Sequence, residues 1–208
     1  MKTLITLTTL ISLSIAANAT VIFMDSDSLT TTNNSGHATV DLSGTLHPNP
    51  GWAAALSGSE WISYGSTGDH SDPGYFSPAN GTLVTFSTTF ILTGTITGGS
   101  LKVMADDSTS VILNGHTLMT ANLTPGSKCS NTPVGCLVST EGVFTFAALA
   151  PYLKDGSNTF SFGVVQVSGS SFGLDFAGSV DTSATPEPGT LAFIAGGLLV
   201  LAMLRRRK

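Results

Sequence analysis

The stretch that most narrows the fold is "TLVTFSTTFIL", Thr82 to Leu92, where large apolar residues recur at alternate positions, with Thr88 the one exception. Successive side chains of an extended chain point to opposite faces. Val84, Phe86, Thr88, Phe90 and Leu92 therefore share one face, and Leu83, Thr85, Ser87, Thr89 and Ile91 the other. The first set carries the rings and is expected to face the core. Similar runs follow. "SLKVMADDSTSVILNGHTLMT" reads strand, turn, strand, turn, strand, with Asp106-Asp107-Ser108 as one turn and Asn114-Gly115, a strong hairpin signal, as the next. Further strands are expected at Val21 to Asp25, His37 to His47, Glu60 to Tyr64, Val143 to Phe146, Asn158 to Val167 and Phe172 to Val180. A short helical turn is expected near Leu149 to Leu153.

The body is rich in Gly, Ser, Thr and Val and poor in Glu, Lys and Arg, which favours short strands joined by turns. Eight or nine strands without a sustained helical period describe an all-β, two-sheet β-sandwich or jelly roll.

The two ends follow a different rule. Lys2, the apolar run Leu4 to Ile15 and the small-x-small triplet Ala17-Asn18-Ala19 form a signal-peptide pattern, with cleavage after Ala19. From Pro188 to Leu204 no charge occurs. As a helix this run would be about 25 Å long, slightly short of a ~30 Å hydrocarbon layer. Arg205, Arg206, Arg207 and Lys208 can extend to the headgroups and, by the positive-inside rule, stay in the cytoplasm. The expected organisation is a signal peptide over 1–19, a β-sandwich over 20–181 and a linker over 182–188. A transmembrane helix over 189–204 and a basic cytoplasmic tail over 205–208 complete it.

Pro186-Glu187-Pro188, an apolar helix and the Arg205-Arg206-Arg207 cluster, in that order at the C-terminus, resemble the PEP-CTERM sorting signal of exported bacterial proteins. The resemblance implies recognition and cleavage by an exosortase, after signal peptidase has acted at the other end. It also implies a site of action in an extracellular polysaccharide layer, with inner-membrane anchoring before release to the surface or the medium.

A second resemblance spans roughly Thr82 to Val180. The Asp-Asp turn, the Leu113-Asn114-Gly115 hairpin, "LKDGSNTF" and the closing Gly173-Leu174 are similar to galactose-binding-like jelly rolls of carbohydrate-binding modules. That implies polysaccharide as a partner.

Between Thr20 and Thr185 stand three lysines and twelve carboxylates, a net of −9. Such a surface repels nucleic acid and anionic lipid, so neither is expected as a partner of the body. Cys129 and Cys136 enclose only "SNTPVG". In an exported chain such a pair is expected as a disulfide, and the eight-residue loop would contribute about 2.5 kcal/mol.

Asp106, Asp107 and Asn114 offer the hard oxygen ligands that Ca²⁺ requires. The Asp-Asp turn also resembles that of protective-antigen-type lectin domains, which implies calcium as a cofactor that helps hold a sugar. The same residues are common turn formers, so two plain turns remain the alternative. Trp52 and Tyr75, flanked by Gly and Pro, are the aromatic residues best suited to stack on a sugar ring, whereas Trp61 reads as core. "GDHSDPGYF" gathers Asp69, His70 and Asp72 in one loop. Glycoside hydrolysis needs two facing carboxylates. Glu60 and Glu141 are the only glutamates of the body, and no hydrolase motif occurs, so no enzymatic activity and no catalytic residue are expected. The chain reads as a non-catalytic carbohydrate-binding protein, or alternatively as a structural or adhesive matrix domain without a small ligand.

Overall fold

The computed structural model describes residues 19–124, 129, 133–167 and 169–183, together with the isolated positions 197, 198 and 205. Residues 1–18 of the expected leader, Pro186-Glu187-Pro188, Arg206 and Arg207, and the apolar segment other than Gly197 and Leu198 lie outside the described residues. Among the described residues no helix is long and apolar enough to cross a membrane.

Two antiparallel sheets pack face to face. The first contains β3 (Val40–Asp41), β4 (Ile62–Ser63), β11 (Gly173–Ser183), β6 (Thr95–Asp106) and β9 (Gly142–Thr145) in that order, with β1 (Ala19–Asp25) also paired to β11. The second runs β2 (Thr32–Asn33), β5 (Leu83–Leu92), β10 (Gly156–Val165), β7 (Ser108–Leu113) and β8 (His116–Met119). Eight of these strands have four residues or more, as the alternation suggests. From β5 to β7, and again from β8 to β11, each connection crosses between the sheets. A β-sandwich results.

The alternation along β5 holds: Val84, Phe86, Thr88, Phe90 and Leu92 are buried. Phe86, Phe160, Phe162 and Phe176 lie in the core between the sheets. Phe162 on β10 stacks on Phe176 of β11 with centroids 4.6 Å apart, tying one sheet to the other. The helical turn α1 (Phe146–Leu149) sets Phe146 edge-on to Phe90 and Phe160, at 6.2 and 6.4 Å. Asn114 and Gly115, with φ of 50° and 84°, form the expected turn between β7 and β8. The Cys129–Cys136 disulfide is present.

Four expectations need correction. His37 to His47 is mostly loop, with only Val40 and Asp41 in a strand. Asp41 Oδ1 accepts the Ser43 N–H and hydroxyl, a local bond that turns the chain out of a ladder. Glu60 to Tyr64 contributes only Ile62 and Ser63 to a strand. Asp106-Asp107-Ser108 does not fold β7 back on β6; it carries the chain from the first sheet into the second. The last strand also runs to Ser183, two residues into the stretch read as linker.

Candidate functional site

Strand directions define two ends. Asp106, Ser108, Leu83, Val165 and Gly173 lie at one end of their strands; Leu92, Thr95, Leu113, Gly156 and Ser183 lie at the other. The first end gathers the loops. Trp52 N–H bonds to Asn49 O, Asn49 Nδ2 donates to Ser171 Oγ, and Ser171 Oγ donates to Gly68 O. Gly81 N–H bonds to Gln166 O, and Asn122 N–H to Ser108 Oγ.

Asp106 and Asp107 sit at the centre of this end, only 4 % and 2 % exposed. Trp52 Nε1 donates to Asp106 Oδ2 at 2.7 Å, and the Val167 N–H donates to Asp107 Oδ2 at 2.8 Å. The two carboxyl groups are also hydrogen-bonded to each other. Burial, and then the Asp107 charge, push the Asp106 carboxyl up to about 8. The Trp52 ring rests on Gly173, where a methyl group would meet its Cη2 at 2.8 Å, and packs against Trp61 at 4.4 Å. Its indole is thus half-buried between backbone, Trp61 and Asp106. Trp61 is core, as expected.

Asn114 does not join the aspartates. It lies beyond the far end of the six-residue β7, about 20 Å along the strand. Its amide is occupied by Tyr152 O, Asn158 Oδ1 and the Thr159 N–H. Tyr75 stacks on His70 at 4.4 Å in the same loop as Asp69 and Asp72. No group of three or more His, Cys, Asp or Glu side chains that could hold a metal occurs among the described residues.

The burial of several polar groups here escaped the sequence reading. Asp72 is buried and accepts both the His47 N–H and His47 Nδ1, each at 2.6 Å. This hydrogen bond raises the pKa of exposed His47 above its ordinary value. Gln166 is fully buried, and neither its Oε1 nor its Nε2 has a hydrogen-bond partner. Continuing the inward alternation of Phe160, Phe162 and Val164 would have marked it. Asp175, fully buried, accepts Ser59 Oγ at 2.5 Å, Leu56 N–H at 2.8 Å and Ser26 Oγ at 3.0 Å. Burial raises its pKa despite these bonds. It fastens the 56–59 loop and Ser26 to the first sheet.

Residues 184–208 match the family described as the PEP-CTERM protein-sorting motif. The chain carries a PEP-CTERM sorting signal. The PEP-CTERM signal implies an exported protein, anchored in the membrane before an exosortase processes it. No curated protein matches the chain. Among solved structures, it is similar to a family 35 carbohydrate-binding module from Clostridium thermocellum, with 11 % identity and a TM-score of 0.37 over 76 % of this chain and 97 % of that one. It is also similar to an exo-β-1,3-galactanase from Phanerochaete chrysosporium solved with β-1,3-galactotriose, with 13 % identity and a TM-score of 0.35 over 76 % of this chain. The match spans 28 % of the galactanase chain.

Proposed function

We propose that this exported PEP-CTERM protein is a non-catalytic carbohydrate-binding protein of an extracellular polysaccharide layer. The sandwich is read as a jelly roll of the galactose-binding-like kind, with its sugar site at the loop-rich end. The observation that carries this reading is the buried Asp106–Asp107 pair beneath Trp52. Two carboxyl groups in contact and withdrawn from water need a proton or a cation between them.

Calcium fits these residues. Carboxylates of Asp106 and Asp107 are hard oxygen donors. The orphaned amide of Gln166 lies next in sequence to Val167, whose N–H Asp107 accepts. Its Oε1 is an oxygen of the same kind and has no hydrogen-bond partner. Asn114, at the far end of β7, takes no part. When bound, the ion would supply positive charge and open coordination positions for sugar hydroxyls. Trp52 holds Asp106 in place, and Tyr75 with His70 provides a stacked pair on the neighbouring loop.

The glutamates favour binding over hydrolysis. Glu141 is paired with Lys102 at 2.8 Å, while the acidic groups that raise the Glu60 pKa, after burial itself, are Asp41, Asp27 and Asp25. A glycan array probed with the purified full-length chain in detergent, with calcium and then with EDTA, tests the reading. Binding to at least one glycan that EDTA removes is expected. Silence across the array in calcium would leave a structural or adhesive matrix domain in its place.

A further inference from the structure

The outer face of the second sheet has a composition of its own. Not one Asp, Glu, Lys, Arg or His occurs anywhere in β5, β10 or β7, although the body carries a net of −9. The outward positions of these strands carry hydroxyl groups in register. Ser87 lies opposite Ser161, with Oγ atoms 3.1 Å apart, and Thr89 lies opposite Thr159, with Oγ1 atoms 3.3 Å apart. Thr85 precedes them on β5, and Ser110 on β7 faces Gly163. Each hydroxyl has one donor and two acceptor positions, so one mutual bond leaves most of that capacity directed outward. Leu83 and Ile91, each 56 % exposed, mark the two ends of the β5 row, about 27 Å apart.

At the loop-rich end the row runs into a hollow. Leu83, opposite Val165, lines a cavity of about 420 Å³ together with Leu123, Asn80 and Gly81. Leu123 is 64 % exposed. An uncharged strip of hydroxyls leading into an apolar hollow suits a ligand with both kinds of surface and no charge. A charged polymer would lose hydration without gaining an ionic partner on this face.

We propose that this face is a second binding surface, which takes a neutral polysaccharide chain lying along β5 and β10. Ring hydroxyls meet the Ser/Thr row, and the apolar face of a sugar ring enters the Leu83–Val165 hollow. The proposal rests on the carbohydrate-binding reading above but uses a different surface, which meets the loop end only where Gln166 and Val167 also line the hollow.

The test uses the full-length chain in detergent on immobilised laminarin, galactan and dextran, with alginate as an acidic comparison, in calcium and in EDTA. Ser161→Lys and Thr89→Lys put a charge in the row; Leu83→Ser alters the hollow; Asp107→Asn reports on the loop end. Melting curves identify variants that fail to fold, and half-buried Ser161 can then be set aside in favour of exposed Thr89 and Leu83. The expected result is retention on a neutral polymer that persists in EDTA and weakens roughly tenfold or more in the row variants. Retention that EDTA or Asp107→Asn abolishes and the row variants leave intact overturns the second surface while sparing the loop-end reading. Retention on alginate alone, or on no polymer, overturns it as well. Self-association in sedimentation that Thr89→Lys abolishes, without polymer binding, assigns the face to a second copy of the chain instead.

Discussion

Thr20 lies directly opposite Thr182 in the β1–β11 ladder, so the start and the end of the folded body are neighbours. Asp106 pairs with Gly173 at the other end of β11, about 33 Å along the strand. The chain enters and leaves the body at the end remote from the carboxylate pair, and the PEP-CTERM motif begins at residue 184, immediately beyond β11. In the anchored precursor the loop-rich end should therefore face away from the lipid. A fluorophore on Thr95→Cys, at the terminal end, is expected to be quenched by headgroup spin labels in reconstituted vesicles, and one on Ser71→Cys is not. Equal quenching at both positions would contradict this orientation.

Phe162 and Phe176 carry the contact between the sheets, and both are fully buried. Phe176→Ala is expected to cost about 3–5 kcal/mol, from lost burial and the cavity left behind. Urea unfolding measures it. Ile91→Ala, on the exposed end of β5, should change stability by less than about 0.5 kcal/mol.

Asp175 satisfies three donors from Ser59, Leu56 and Ser26. Its replacement by Ala leaves the Leu56 N–H without its acceptor, while Ser26 and Ser59 keep Glu60 O and Leu56 O, and is expected to cost about 1–3 kcal/mol. Asp175→Asn keeps one acceptor oxygen and should cost less. The order of the two variants in urea unfolding distinguishes lost hydrogen bonds from lost volume.

His47 gains its partner only in the folded state, and the Asp72 hydrogen bond is the first cause of its raised pKa. A folded pKa above the unfolded one means that this contribution is fully present below the ordinary value of 6.5 and disappears as pH rises through the elevated one. The His47 ring is exposed, so the effect on stability is small and a site-specific titration is the better readout. By nuclear magnetic resonance, the His47 midpoint should lie above the ordinary value in the wild type and return towards it in Asp72→Asn.

The sequence disclosed what is local. Along β5 the period of two is complete within ten residues, and Asn114-Gly115 has the conformations its turn requires. The disulfide follows from two nearby cysteines in an exported chain. What escaped depends on distant partners. Trp52 looked like a free ring because nothing near it in sequence shows that its N–H reaches Asp106, 54 positions away. Asp106-Asp107-Ser108 has turn chemistry whether the chain returns to its own sheet or crosses to the other, and only the packing of the sheets decides. That same crossing separates Asn114 from the aspartates, since the hairpin turn it belongs to closes the opposite end of β7. Asp72 is a polar residue buried by a loop too irregular to carry a period, whereas Gln166 continues the period of β10 one step past its end.

The most direct measurement is the intact mass of the protein recovered with the extracellular polysaccharide of cells that produce it. The account predicts a species without the leader, shortened near Pro186-Glu187-Pro188, held on that polysaccharide and released by competing glycan. Recovery of the unprocessed 208-residue chain from the cytosol, or of a processed chain with no affinity for the polysaccharide, would contradict it.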